Sequence, residues 1–527
     1  MNGYAASRAS LSHEEKLSLI DDRSLSDVES ESARVDLDGR FSNIQWAATA
    51  KTYCSGLRLS SWSTAVLKTG IFLIPSFLHH RYTRERFRPE KLHPTAYLDG
   101  MRGLAALFVF FCHYFYTAFK IAEGWGHGNA NYEIWRLPFI RLLYSGPSMV
   151  CIFFVISGYA LSLKPLKQIR SRSFDGFSKT MTSFVFRRFF RLYLPPMIST
   201  FAVLVLLRLG VYEITRDFAS DRKYVHNVIE HHPVLDETMH KQLRHWMKEM
   251  YDFVHIWGWE KFGGATGYDV HLWTIPVEFR CSMMLFLVMF GTARLRTCIR
   301  LLYVGMVMWF VLRSDRWEMV LFLWGMTIAE LDLIRGAHEP SPSQSLPAPI
   351  TLLPLEKTPD STPEKRRTCN LLWTSLSIPA LYLMSEPDAG PAGVPGWDYL
   401  GTFIPEWFSD KYRFYQMIGS IIFVFCTARS TSWQRVFNSS LVQYFGRISY
   451  ALYLMHGPVI HTVGFMVERR AWDLTGAEGH AYNWGFILAS VINIPLVIWA
   501  ADIFWRAVDA PTVRFTKWLE EKLSIEE

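Results

Sequence analysis

Apolar residues in this chain are gathered into long runs, such as Leu192 to Gly210 and Trp484 to Phe504, rather than spread as a soluble core would spread them. Ten segments read as membrane-crossing helices: 97–119, 144–163, 192–212, 271–293, 299–313, 317–334, 370–385, 413–428, 446–466 and 484–506. The fifth, seventh and eighth fall short of the ~20 residues that a bilayer asks for. Residues 1–60 are polar, Ser-rich and acidic, and read as a disordered cytosolic tail. Residues 61–80 are apolar but short, interrupted by Lys68 and Pro75, and read as an interfacial or extra membrane helix. A continuous membrane domain is expected over 95–512, with 513–527 as a short cytosolic tail. The fold class is all-α integral membrane, with about ten transmembrane helices.

Composition agrees. With 527 residues, 50% hydrophobic and 20% charged, the chain is not disordered, collagenous or a disulfide scaffold. The net charge of +7 raises nucleic acid as a partner, but the cations sit at the ends of apolar runs and form no separate basic domain. The lipid bilayer is the partner this pattern calls for. Alternating the ten spans makes 81–95, 164–191, 294–300, 335–369, 429–447 and the C-terminus cytosolic. Segment 164–191 alone then holds Lys164, Lys167, Arg170, Arg172, Lys179, Arg187, Arg188 and Arg191, as the positive-inside rule requires. Both termini fall in the cytosol of a multi-pass protein of an endomembrane or the plasma membrane. The seven cysteines show no CxxC or Cys/His spacing, so neither a disulfide framework nor a metal is expected.

Ionisable groups inside apolar runs are costly and mark candidate chemistry. The first span, LDGMRGLAALFVFFCHYFYTAF, contains Asp99, Arg102 and His113. Eleven helical positions place Arg102 and His113 on one face, ~16 Å apart along the axis. The competing reading is a histidine paired for packing alone. In the second span, Ser157-Gly158 suits close helix packing. SFVFRRFFRLYLPP places Arg187, Arg188 and Arg191 just cytosolic of the third span, either as topology signals or as an anion site suited to guanidinium forks. HLWTIPVEFR opens the fourth span and places Glu278 seven residues after His271, at a depth comparable with His113. A carboxylate there can orient an imidazole. The ninth span, GRISYALYLMHGPVI, adds His456 to a polar bundle interior. The long segment 213–270 contains six histidines without tight ligand spacing and reads as a solvated loop.

With these motifs in order, the chain resembles the membrane acyltransferase 3 family, in its eukaryotic, fungal-type form. The match is carried by LDGMRGLAALFVFFCH, IFFVISGYALS, RRFFRLYLPP, HLWTIPVEFR and GRISYALYLMHGPVI, and by the closing FWRAVDAPTVRF with Asp509. The resemblance implies transfer of an acyl group, often acetyl from acetyl-CoA, to a hydroxyl. It makes Arg102 and His113 the essential pair, Arg187, Arg188 and Arg191 the basic motif, and Trp273, Thr274 and Glu278 the Trp-Ser/Thr-x-x-x-Glu-like stretch. One departure is that Ser148-Met149-Val150-Cys151-Ile152 stands where bacterial relatives often carry Gly-Val-Asp.

The expected function is therefore O-acylation with acyl-CoA as co-substrate and no permanently bound cofactor. Arg187, Arg188 and Arg191 would hold the CoA phosphates, and His113 would act as general base or briefly take the acyl group. Glu278 would orient the imidazole, and Arg102 would anchor the donor. The acceptor is a small molecule or carbohydrate: a sugar, a glycolipid and a polycyclic natural product each supply the needed hydroxyl. The rival is a proton-coupled transporter or exporter using the same groups as a relay, though the two halves show no convincing internal repeat.

Overall fold

The computed structural model describes residues 69–78, 92–257, 264–337 and 363–525. The expected tail 1–60, the two ends of 61–80 (61–68 and 79–80) and the stretch 338–362 lie outside the described residues. Within them the regular structure is entirely helical, with one isolated bridge between Thr266 and Asp269 and no strand. The principal helices are α1 (Ala96–Tyr116), α2 (Gly146–Arg170), α3 (Phe174–Arg208), α4 (Val211–Ser220), α5 (Met239–Val254), α6 (Thr274–Thr292), α7 (Thr297–Arg313) and α8 (Trp317–Ile334). They continue with α9 (Pro363–Met384), α10 (Phe414–Thr427), α11 (Ser440–Val459), α12 (Phe465–Thr475), α13 (Gly479–Phe504) and α14 (Ala510–Leu523). Each of the ten apolar segments falls on a helix. Four stretches are long and apolar enough to cross a membrane by themselves: Gly146–Arg170, Phe174–Arg208, Val270–Thr292 and Gly479–Leu523.

The bundle is organised by pairs in which backbones touch. Helix α2 packs on α8, where Gly158 meets the Phe322 carbonyl and Gly325 meets that of Val155. Helix α1 packs on α11, where Gly103 meets Gly446. A Cβ at any of these positions would overlap backbone, so the small residue is what permits the approach. The Ser157-Gly158 pair thus packs as its sequence suggests, through the glycine.

One expectation is corrected, that for 213–270, and two are extended. The helix that carries the third apolar segment starts before Leu192: α3 is one continuous helix of 35 residues, ~52 Å long. Its first half is held down by buried Phe177, Met181 and Phe184, spaced four and three apart on one face. The basic motif therefore lies mid-helix, on a rigid element. The segment 213–270 is not a solvated loop throughout. It folds α4 and α5, buries His232, and brings Glu230 against the helix bundle. The C-terminal stretch is helical: α14 continues from α13 through a π-helical turn at Trp505–Asp509 and packs along α3. The described N-terminal piece also docks on this corner. Arg506 donates to the carbonyls of Phe72 and Ile74 at 2.6 and 3.1 Å, and the Ser76 amide donates to buried Asp502 at 3.0 Å.

Candidate active site

A cavity of about 1080 Å³, including open solvent at its mouth, lies between α1, α2, α3, α6, α11 and the π-helical turn. Four arginines line it (Arg102, Arg188, Arg191 and Arg447) against two carboxylates, Glu278 and Asp509. The rigidity of α3 fixes two of the guanidinium groups three residues apart, on one side of that helix. Arg188 is anchored from the other wall. Its terminal nitrogen lies 2.6 Å from Glu278, and its Nε donates to Ser282 at 2.9 Å. Ser157 also donates to Glu278, at 3.0 Å.

The three arginines of the basic motif thus have different employments. Arg188 and Arg191 face the cavity, whereas Arg187 points to α14 and pairs with Glu520 at 3.1 Å. Arg102 lines the cavity and pairs with Asp99 one turn earlier at 3.0 Å. Glu278 is placed otherwise than its spacing suggested. One turn into α6, it turns toward α2 and α3, where Arg188 and Ser157 engage it. The carboxylates that meet the imidazoles are different ones.

His113 lies just over a turn beyond Val109, which lines the cavity, and there meets two other histidines. Its ring centre lies 4.2 Å from that of His271 and 5.2 Å from that of His456, and the latter two are 4.8 Å apart. His271 comes from the stretch just before α6, and His456 from the end of α11. Asp269 accepts from the His271 backbone amide at 3.0 Å and lies 2.8 Å from its Nδ1. The other nitrogen, Nε2, lies 3.0 Å from Glu230, an ion-pair approach rather than an aligned hydrogen bond. Glu230 reaches on to His461 at 2.6 Å, on a second π-helical turn at Ile460–Gly464. Such turns recur where a helix is reshaped for function. Burial opposes charge on Glu230, but His271 and His461 hold its carboxyl well below the usual carboxylate range.

The cluster lies where two cavities approach each other. The arginine-lined cavity is walled by Thr274 and Tyr453; the Tyr453 hydroxyl donates to the His271 carbonyl and pairs with Thr274 at 2.7 Å. A smaller cavity, about 310 Å³ with the open solvent at its mouth, is walled by Glu230, Asp269, His271 and Gly457. The nitrogens of His113, His271 and His456 lie within 4.8 Å of one another, and could converge on one bound atom. Tetrahedral zinc at 2.0–2.1 Å from each ligand needs nitrogens roughly 3.3 Å apart. An oxygen at ~2.8 Å from each accepts separations of this size without rearrangement.

Gly457 is required here by space. A Cβ on it would lie 2.8 Å from His271 Nδ1 and 3.1 Å from the nearer Asp269 oxygen. Gly457→Ala should push the imidazole off its carboxylate. Turnover is expected to fall at least ten-fold, measured in membranes matched for protein amount, with folding little changed.

Sequence spacing did not show this cluster, because its members come from distant parts of the chain. His456 was visible as a polar residue in an apolar span. Glu230 carried no signal, standing in a long segment read as solvated.

Comparison with known proteins agrees with the geometry. The profile of the acyltransferase domain family matches residues 95–506. The O-acetyltransferase PaAT-1 of Phomopsis amygdali is 32% identical over 466 residues, covering 86% of this chain and 88% of its own. Acyltransferase R4 of a Phoma strain is 26% identical over 82% of this chain and 97% of its own. Acyltransferase clz18 of Cochliobolus lunatus is 24% identical, over 79% and 94%. No solved structure matches. The chain belongs to the acyltransferase 3 family and is an O-acyltransferase.

Proposed function

We propose that this enzyme moves an acyl group, acetyl first among them, from acyl-CoA to a hydroxyl of a small molecule or carbohydrate. The observation that carries this reading is the arginine-lined cavity whose Thr274 and Tyr453 wall backs onto the histidine cluster. Four guanidinium groups against two carboxylates leave the cavity positive, which suits the diphosphate and 3′-phosphate of CoA. The pantetheine arm would run past Thr274 and Tyr453, bringing the thioester to His113. His113 is the reacting imidazole, as general base on the acceptor hydroxyl or as a transient carrier of the acyl group. Arg102, Arg188 and Arg191 hold the donor, while Arg187 keeps α14 against α3. No resident cofactor or metal enters this reading.

The ten helical segments and the basic bias of alternate connections support ten crossings, with both termini cytosolic and the arginine-lined cavity reached from that side. The fungal O-acetyltransferase PaAT-1 supports acetyl as the group to test first.

The test is loss of the acetyl-CoA thioester and transfer of labelled acetyl by membranes containing the protein, with candidate alcohols present. Thioester turnover with a labelled ester product supports the reading. Unchanged acyl-CoA across chain lengths and alcohols overturns it. In the same assay Arg191→Ala should raise the KM for acyl-CoA at least ten-fold with kcat nearly unchanged. One charge-assisted hydrogen bond is worth ~1.5–3 kcal/mol, and the interaction is made before chemistry begins.

A further inference from the structure

We propose that His456 is a second catalytic imidazole, the one that takes the proton of the acceptor hydroxyl. The argument begins with its tautomer. His456 is fully buried, and its Nδ1 lies 3.2 Å from the carbonyl of Leu452 one turn earlier. A carbonyl only accepts, so the ring proton sits on Nδ1 and Nε2 carries a lone pair. That Nε2 is buried and has no hydrogen-bond partner among the described residues. Leaving a buried acceptor unpaired is unfavourable, and substrate binding would relieve it.

The surroundings say what the lone pair meets. Nδ1 of His113, across the cluster, is likewise buried without a hydrogen-bond partner. A nitrogen of the His113 ring and one of the His456 ring lie within 4.8 Å of each other, a separation that one oxygen spans at ordinary hydrogen-bond distance. His271 is a poor base in comparison, because each of its nitrogens already faces a carboxylate oxygen. Of the three rings, His456 is the one whose tautomer is fixed by backbone with the lone pair left over.

The proposal rests on the acyl-transfer reading and divides its work. The acceptor hydroxyl donates to His456 Nε2, and its oxygen attacks the acyl carbon. The new C–O bond forms, the C–S bond breaks, and the hydroxyl proton passes to His456. From there it neutralises the departing CoA thiolate, so the imidazole returns to its starting form. His113, on the opposite side of the oxygen, is then not the base: it faces the thioester and donates to its carbonyl oxygen as negative charge develops there, so loss of either ring removes transfer.

The experiment compares His456→Phe and His456→Ala with wild type in the acetyl-transfer assay, each quantified as folded, monodisperse protein in detergent. His456→Phe keeps an aromatic ring in the site but has no lone pair. It should keep the donor KM and lose transfer by ~10²–10⁴-fold. His456→Ala leaves a hole of imidazole size, so added imidazole should restore transfer in proportion to its free-base fraction, whereas a purely structural histidine would not show that dependence. Failure of imidazole to rescue His456→Ala, or transfer above a tenth of wild type in His456→Phe, overturns the assignment. Absence of thioester turnover in wild type would instead remove the acyl-transfer reading on which it stands.

Discussion

Replacing His113 by alanine is expected to remove acyl transfer by ~10²–10⁴-fold while the protein still folds. That factor corresponds to about 3–5.5 kcal/mol of the barrier. The fold should survive because α1 is held by other residues. Buried Phe110 and Tyr114 pack against the hydrophobic core, and Gly103 seats the helix on α11. The His113 ring is partly exposed and makes ring contacts with His271, His456 and Tyr116. Its loss therefore leaves space within the site rather than a hole in the core. The assay is initial rate of labelled acetyl transfer at saturating acetyl-CoA, with donor binding measured separately by competition with the adenosine 3′,5′-bisphosphate fragment of CoA. Full transfer in His113→Ala would sink the mechanism, and loss of donor binding would mean that the ring serves the cavity rather than the chemistry.

The pH dependence of wild-type transfer is a control on the same prediction. Glu230 has its carboxyl held well below the usual range by His271 and His461, against the effect of burial. A carboxylate depressed in the folded state contributes stability above its ordinary pKa of ~4.3 and loses it as pH falls through the lower folded value. Glu230 thus stays charged across pH 5–8. An acid-side fall in transfer within that window is then not due to protonation of Glu230.

How far the sequence reached follows from what kind of signal each feature leaves. Helices leave a local one. Leu192 to Gly210 and Trp484 to Phe504 are apolar over enough consecutive residues to announce themselves, and both lie on helices. The placement of Arg102 and His113 on one face of α1 was also local, since a helix fixes the relation between positions eleven apart. Partner choice is not local. Glu278 and His113 share a depth on paper, but which way α6 is rotated is decided by packing against α2 and α3, and that rotation gives Glu278 to Arg188. The same holds for Arg187 and Arg188, adjacent on α3 and therefore ~100° apart around it: one meets α14, the other the cavity. Glu230 is the extreme case. Its environment is made by His271 and His461 from far along the chain, and no pattern around residue 230 encodes that.

The pairing of Arg188 with Glu278 makes the second large prediction, and it separates donor binding from chemistry. Arg188 is nearly buried, with 8% of its side chain exposed, and Glu278 keeps 23%. Removing one member of a buried ion pair costs ~3–5 kcal/mol, because the other charge is left without compensation. Glu278's partial exposure and its bond from Ser157 place Arg188→Ala toward the lower end. Its thermal midpoint should drop by several degrees, and the KM for acyl-CoA should rise at least ten-fold through loss of a guanidinium from the cavity. Glu278→Gln behaves differently. The amide oxygen still accepts from Arg188, and the cavity becomes more positive by one charge. Stability should fall, though by less than in Arg188→Ala, because Arg188 loses its counter-charge but keeps its hydrogen bond, and kcat should fall by less than ten-fold. A drop of a hundred-fold or more in kcat at constant KM would instead restore the role of orienting an imidazole, which the geometry gives to Asp269 and Glu230. The double variant Arg188→Ala/Glu278→Ala decides whether the pair acts as a unit: its stability loss should be smaller than the sum of the two single losses, because neither charge is left stranded. Donor binding should remain as weak as in Arg188→Ala, since removing the carboxylate restores the balance of charge but supplies no donor for a phosphate.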